Sequence, residues 1–305
     1  MKFYANLHLH STHSDGIYTP AELVKIAKEE GYKAIAISDH DTASAYPELL
    51  KACNEEDMEC IFAVEFTVME PYDFHIVAFD FDPEYPPMKE YLEKMALRQT
   101  DNTKKCFDEA VELGRIKGIT WEEILEFNKG IPWLCNNHVF RAMKSKGLVQ
   151  DSEYINWFYT NFKNQRAKFK PLYNFKCLQE IVKLVKEAGG FAVCAHPKTE
   201  QLDRFELLIE SGIEGLEVFH PQMTKEEQER AYKLCIENNL YISGGTDHNG
   251  LCGGLYKSYS SEEELKASSH YIEPLSAGTY EQYFREIQNR KINRSKNRSI
   301  LNLFS

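Results

Sequence analysis

Short apolar runs alternate with amphipathic stretches along the first 80 residues and again after residue 176. Residues 33–38 are almost continuously apolar, which is typical of a parallel strand covered on both faces. Comparable runs begin at Lys2, Glu59, Asp73, Phe191, Gly215 and Leu240. The pattern therefore predicts seven strands separated by helices. Three of the helices are predicted to begin with capping boxes at Thr19, Thr120 and Thr224.

Between these two parts the strand pattern disappears. Pro83, Pro86 and Pro87 interrupt it, and only helical periodicity and loops follow until about residue 172. We interpret residues 99–173 as a small helical domain inserted into an α/β unit formed by residues 1–98 and 174–305. A last helix is predicted between Tyr280 and Asn289.

Composition and charge narrow the possible partners. The chain has 305 residues, of which 43% are hydrophobic, and a formal net charge of −11. An acidic surface repels the phosphate backbone, so no long nucleic acid partner is expected, although a small phosphorylated substrate held by cations is compatible. The eight cysteines contain no C-x-x-C pair, and the sequence offers neither a secretory segment nor a membrane-spanning run. We expect a cytoplasmic protein without a membrane partner.

The first strand carries the clearest chemical signal. His8 and His10 are two residues apart, so both imidazoles leave the same face of an extended strand. Two such imidazoles can hold one divalent cation. The following turn contains Asp15, which adds a carboxylate nearby.

Other strands end in residue types that bind metals. The set on or just after the predicted strands comprises His8, His10, His40, Glu65, His75, His196, His220, Asp247 and His248. The carboxyl ends of parallel strands meet at one mouth of a barrel, so these side chains are expected to converge there. Nitrogen and carboxylate ligands suit Zn, Mn or Fe, and a carboxylate such as Glu65 can bridge two ions. Paired cations suit the hydrolysis of a phosphate ester by metal-activated water.

The motifs H-x-H, S-D-G, S-D-H-D-T, V-E, A-H-P and G-T-D-H occur in this order and resemble the polymerase-and-histidinol-phosphatase (PHP) superfamily, above all its stand-alone metal-dependent phosphoesterases. The resemblance implies a distorted seven-stranded (β/α)7 TIM-like barrel with two or three divalent ions. It places a first ion among His8, His10, Glu65 and Asp247. A second ion would share Glu65 and add His75 and His196, and a third would use Asp15, His40 and His248.

The last motif departs from the superfamily pattern, as do Asn6 before the first histidine pair and residues 136–138 of the insertion. The last motif usually reads Asp-x-His, whereas here Asp247 and His248 are followed by Asn249. Either His248 turns in to serve as a ligand, or the third ion is weakly held or absent.

The resemblance implies a metal-dependent phosphoesterase that hydrolyses a small phosphate monoester, such as a nucleotide or a short oligonucleotide. Asp15 and His248 are candidates for protonating the leaving oxygen. Arg98, His138 and His220 are candidates for contacting the phosphate. The tryptophans of the insertion either pack its own core or stack on a nucleobase.

Two other interpretations remain open from the sequence. A metallo-amidohydrolase also uses an H-x-H strand, but that fold usually needs a bridging lysine on a mid-chain strand, and no predicted strand ends in one. A catalytically weak, metal-binding regulatory module is favoured only by the altered last motif.

Overall fold

The computed structural model describes residues 2–69, 72–163, 176–248 and 277–290, and shows a mixed α/β fold. Three strands form one sheet in the order β1-β2-β3, and five form a second in the order β4-β5-β6-β7-β8. Their bounds are β1 Ala5–Asn6, β2 Ala34–Ile35, β3 Glu59–Cys60, β4 Ala63–Val68, β5 Phe74–Phe79, β6 Phe191–Cys194, β7 Gly215–Phe219 and β8 Tyr241–Gly244. The described residues thus contain eight strands, one more than the sequence pattern predicts.

The additional strand comes from a division of the apolar run that begins at Glu59. Its first part, β3, pairs in parallel with β2, and Ala34 lies opposite Glu59. Its second part, β4, pairs with β5 instead, and Ala63 lies opposite Phe79. Hydrophobicity alone cannot reveal this exchange of partners, because the residues between the two parts, Ile61 and Phe62, are apolar and give no turn signal.

The strands are not all parallel, which corrects the expectation of a uniformly parallel barrel. β5 runs antiparallel to both β4 and β6, whereas the other neighbouring strands are parallel. The short connection between β4 and β5 allows an antiparallel hairpin but is too short for a parallel crossover. As a result the beginning of β5, where His75 lies, is at the same edge as the carboxyl ends of its neighbours.

Helices connect the strands and form the middle of the chain. They are α1 Pro20–Glu29, α2 Tyr46–Glu56, α3 Pro86–Glu112, α4 Trp121–Phe127, α5 Asn136–Ser145, α6 Tyr154–Phe158, α7 Leu178–Glu187, α8 Thr199–Leu202, α9 Phe205–Glu210, α10 Lys225–Asn238 and α11, residues 281–290. A 3₁₀ turn, Asp151–Glu153, precedes α6, and a π-helical turn, Tyr159–Lys163, follows it. The three predicted capping boxes are confirmed. No described helix is long and apolar enough to cross a membrane.

The middle helices have a hydrophobic core of their own. Phe107, Phe140 and Trp157 are buried together there, apart from the cluster that joins the sheet to α7 and α10. The predicted border at residue 98 does not coincide with a break, because α3 passes through it without interruption.

Backbone contacts beyond the short strands bring the sequence motifs together. The chain after β1 lies along the chain after β8, where the amide of His10 donates to the carbonyl of His248 at 3.0 Å and the amide of Asp247 donates to the carbonyl of His8 at 2.9 Å. The chain after β2 likewise contacts β4, and the amide of Asp41 donates to the carbonyl of Glu65 at 2.9 Å.

Candidate metal centre

Four overlapping groups of imidazoles and carboxylates lie at this edge of the fold. Within each group the ligand atoms are within 4.8 Å of one another. The groups are His8, His10, Glu65 and Asp247; Glu65, His75 and His196; His10, Asp15 and His40; and His8, Glu217 and His220. The structure therefore brings together the residues expected for the first two ions and most of those expected for the third.

Glu65 is the common member and the centre of the arrangement. Its carboxylate is fully buried and faces five imidazoles, at 2.9 Å from His75, 3.0 Å from His40 and 3.3 Å from His8, His10 and His196. Burial alone would raise the pKa of Glu65, but the neighbouring imidazoles hold it well below its usual value. The charge of Glu65 in turn raises the pKa of His75 to about 9 against the opposing effect of burial.

Asp247 completes the first group. Its Oδ1 lies 2.9 Å from Nε2 of His10 and 3.7 Å from Nε2 of His8. Asp247 has a φ of +53°, a left-handed backbone conformation that non-glycine residues seldom adopt, and such strain is common at functional sites. Burial raises the pKa of Asp247, but His10 and His8 reverse this effect and lower it.

The third group is looser and lies nearer to solvent. Oδ1 of Asp15 is 3.6 Å from Nδ1 of His10 and 4.0 Å from Nε2 of His40. Asp15 is about one quarter exposed, whereas His10 is buried. The imidazole of His40 stacks on the indole of Trp133 with ring centroids 6.3 Å apart, so a tryptophan from the middle segment borders this group.

The donor set fits divalent cations. Nε2 of His8, Nε2 of His10 and Nδ1 of His40 are buried and face carboxylate oxygens of Glu65 and Asp247 at 2.9–3.7 Å, without the geometry of a hydrogen bond. Buried nitrogens of this kind are costly unless a proton donor or a cation satisfies them. Their lone pairs, together with Glu65, Asp15 and Asp247, provide the nitrogen and oxygen ligands that Zn, Mn or Fe ions accept.

His248 does not belong to any of the four groups found in the described residues. Its backbone pairs with Leu9, and its ring stacks on Tyr18 with centroids 6.0 Å apart and an interplanar angle of 18°. His248 was expected as a ligand of the third ion, but in this conformation its ring is not part of the third group. Asn249, the residue that departs from the motif, lies outside the described residues.

The three candidate phosphate contacts differ in their surroundings. His138 is fully buried; its Nδ1 accepts from the amide of Cys135 and its Nε2 donates to the carbonyl of Thr12, so no ring nitrogen is left to bind a phosphate. This corrects the expectation for His138, which instead joins α5 to the first loop. His220 lies beside His8 and Glu217, and Arg98 is half-buried on α3, outside the four groups of the described residues.

Two buried carboxylates near the centre are not among the ligands expected from the sequence. Asp39 accepts hydrogen bonds from the amide and hydroxyl of Ser11, at 2.7 and 2.6 Å, and thereby fixes the turn after the first strand. Glu217 lies within β7 next to His8. The sequence does offer one sign that Glu217 is special, because it is an acidic residue in an otherwise apolar strand. Burying such a charge is costly unless it has a partner.

Comparison with known proteins links part of the chain to a family. Residues 6–129 match the model of the PHP domain, which is less than half of the 305 residues. The chain is 27% identical over 257 residues to a phosphoribosyl 1,2-cyclic phosphate 1,2-diphosphodiesterase of Eggerthella lenta, which covers 81% of the chain and 95% of the relative. It is 29% identical over 261 residues to a 5'-3' exoribonuclease of Haemophilus influenzae, which covers 82% of the chain and 91% of the relative.

A solved structure supports the fold of the chain. A candidate metal-dependent phosphoesterase of Bifidobacterium adolescentis has a TM-score of 0.71, covers 94% of this chain and 96% of its own, and is 24% identical. The similarity therefore extends well beyond the residues matched by the family model.

Proposed function

We propose that the chain is a metal-dependent phosphoesterase of the PHP family that hydrolyses a small, nucleotide-like phosphate ester. The observation that carries the proposal is the buried Glu65 carboxylate within 3.3 Å of five imidazoles, with Asp15 and Asp247 in the adjoining groups. Two relatives that span most of the chain are named as enzymes that cleave phosphate esters, which supports the same class.

Each group has a proposed role. His8, His10, Glu65 and Asp247 hold one cation; Glu65, His75 and His196 hold a second; Asp15 and His40, with or without His248, hold a third. Divalent ions there would activate water and offset the charge of the phosphoryl oxygens. The ions themselves are proposed to be Zn, Mn or Fe.

Two residues at the edge of the centre are proposed to handle the leaving group. Asp15 is partly exposed and lies beside the buried ligands, so it can hold a proton near a departing oxygen. His248 is the alternative donor, because its backbone pairs with Leu9, between His8 and His10, and its ring stacks on Tyr18. Arg98 and His220 are kept as proposed phosphate contacts.

We further propose that residues 1–98 and 174–305 form one distorted seven-stranded barrel, in which β3 and β4 together take the place of one strand. The hydrogen bonds that join the chain after β1 to the chain after β8 support this closure. Residues 99–173 would form a helical insertion with its own core. A cytoplasmic location is proposed from the scattered cysteines of the sequence.

Short RNA is a second candidate substrate. The exoribonuclease of Haemophilus influenzae covers most of the chain, so degradation from a 5' end is compatible with the same chemistry. The net charge of −11 favours small substrates over long ones.

Metal analysis of the purified protein, followed by a phosphate-release screen, tests the proposal. The screen should include nucleotides, nucleoside bisphosphates, cyclic phosphate diesters, short and long oligoribonucleotides, and a set of amides and lactones. We expect bound divalent metal and turnover of a small phosphate ester. Cleavage of amides alone would indicate an amidohydrolase, and tight metal binding without turnover of any phosphate ester would favour the regulatory module.

A further inference from the structure

Glu217 is a buried carboxylate in the middle of an apolar strand. Its neighbours Leu216 and Val218 are part of the core, and Glu217 itself is only 1% exposed. Burying a charge is costly unless it is paired and hydrogen-bonded, so the contacts of Glu217 must compensate for its position.

The carboxylate of Glu217 holds two different strand ends. Its Oε1 and Oε2 lie 3.2 and 3.1 Å from Nδ1 of His8, at the end of the first strand. Its Oε2 also accepts a hydrogen bond of 2.8 Å from the backbone amide of His196, at the end of β6. A single side chain thus connects one residue of the first proposed cation site with one of the second.

The contact with His8 determines which ring nitrogen is available to a cation. A carboxylate beside Nδ1 accepts the proton of that nitrogen, which leaves the lone pair of a neutral imidazole on Nε2. Nε2 of His8 is the atom that lies 3.3 Å from Glu65 and 3.7 Å from Asp247. The orientation of His8 is therefore suited to binding metal at the common centre.

The contact with His196 acts on the backbone. His196 has a φ of +30°, in the left-handed region that non-glycine residues rarely occupy, and the surrounding structure must hold such a conformation. The amide of His196 is fixed by Glu217, and its ring Nε2 lies 3.3 Å from Glu65. Glu217 therefore helps to aim this imidazole at the same carboxylate that His8 faces.

We propose that Glu217 is a positioning residue of the metal centre, which selects the metal-binding tautomer of His8 and maintains the strained backbone of His196. The inference rests on the proposed function only in so far as it assumes that the centre holds divalent cations. Glu217 does not contact the substrate in this proposal, and its effect passes through the two imidazoles.

The variant Glu217→Gln tests this role, because it keeps the shape but replaces one acceptor oxygen with a donor. Glutamine offers a single, uncharged acceptor oxygen to His8 and His196, and its amide group beside Nδ1 would favour the wrong tautomer of His8. We expect the affinity of the metal-free protein for Mn²⁺ or Zn²⁺, measured by titration calorimetry, to fall by about 10–100-fold. The Tm of the metal-free protein should fall as well, because removing one partner of a buried charged contact is destabilising.

Glu214→Gln is the matched control. Glu214 immediately precedes β7, but its carboxylate pairs with Arg290 at 2.7 Å, away from the imidazoles. We expect this variant to bind Mn²⁺ and Zn²⁺ like the unaltered protein. The proposal would be overturned if the metal affinity fell in Glu214→Gln but stayed unchanged in Glu217→Gln.

A second variant protects the test against a failure to fold. Glu217→Asp keeps the charge but withdraws the carboxylate by one methylene, so its metal affinity should fall below that of the unaltered protein. If a Glu217 variant that folds binds Mn²⁺ or Zn²⁺ as tightly as the unaltered protein, the positioning role is overturned. Neither titration involves substrate, so a failed phosphate-release screen would not affect this inference. If the enzyme is active but the Glu217 variants bind metal like the unaltered protein, only the positioning role of Glu217 is overturned.

Discussion

At the scale of single residues, Glu65 carries the largest share of the proposed chemistry. The variant Glu65→Gln keeps the volume of the side chain but removes the charge that faces five imidazoles. Loss of a neighbour that merely supports a ligand reduces metal affinity or activity by about 10–100-fold, so removal of the shared ligand should lower kcat/KM by at least about 100-fold. Phosphate release and metal content are the measurements.

The control for this change is Glu48→Gln, because Glu48 is 42% exposed and lies 3.5 Å from His13, which belongs to none of the four groups of the described residues. We expect this variant to keep its activity and metal content. Full activity in Glu65→Gln would contradict the assignment of the centre.

Single residues also show what the sequence could and could not reveal. His8 and His10 were recognisable because their spacing on one strand is itself a metal-binding pattern, and the structure groups them with Glu65 and Asp247. Glu217 was not recognised, because its partner His8 is 209 residues away and nothing beside it in the strand is polar. The sequence does not reveal the structural role of His138, because the carbonyl of Thr12 that its Nε2 contacts is 126 residues away.

At the scale of elements, the attachment of α11 to β3 depends on Glu59. Its carboxylate pairs with Arg285 at 2.6 and 2.9 Å and accepts from the hydroxyl of Tyr4 at 2.6 Å. Hydrogen bonds from Arg285 lower the pKa of Glu59 from 4.5 to about 2. Because the pKa of Glu59 is lower in the folded than in the unfolded state, its contacts stabilise the fold fully above about pH 4.5. This stabilisation is lost as the pH falls toward 2.

The variant Glu59→Gln should therefore lower the free energy of unfolding by about 1 kcal/mol at pH 7, a modest value because the pair is partly exposed. The difference between the variant and the unaltered protein should be smaller at pH 3. Urea unfolding at both values measures it. Glu281→Gln is the control, since Glu281 lies 3.5 Å from Arg285 and is well exposed. A difference that does not change between pH 7 and pH 3 would exclude this account.

A second prediction at this scale concerns the contact between the chain segments that follow β1 and β8. A side chain at Gly245 would overlap with Cβ and the backbone nitrogen of His8. The substitution Gly245→Ala should thus push His8 away from Glu65 and lower both the Tm and the affinity for Mn²⁺, as measured by thermal unfolding and calorimetry. Unchanged metal affinity would show that the two segments can separate without disturbing His8.

Elements were predictable where the information is local. The capping boxes at Thr19, Thr120 and Thr224 were found because each depends on residues three positions apart. The direction of β5 was not, because strand polarity depends on pairing with β4 and β6 rather than on hydrophobicity. His75 nevertheless lies beside the other ligands, since an antiparallel strand presents its beginning where parallel strands present their ends.

At the scale of the whole molecule, the site is assembled from segments between residues 8 and 247, so cations that bind there should stabilise the entire fold. A ligand that binds only the folded state stabilises it by about 2.7 kcal/mol at 100 times its Kd. At roughly 2 °C per kcal/mol for a chain of this size, saturating Mn²⁺ or Zn²⁺ should raise the Tm by about 5 °C.

Excess chelator should reverse this increase, and Glu65→Gln should show little of it, because its centre lacks the shared carboxylate. Thermal unfolding with and without metal, at one protein concentration, is the measurement. The increase depends on the imidazoles and carboxylates converging from distant parts of the chain, which only the folded protein achieves. A Tm that does not respond to Mn²⁺, Zn²⁺ or Fe²⁺ would therefore count against the whole centre, not against one ligand.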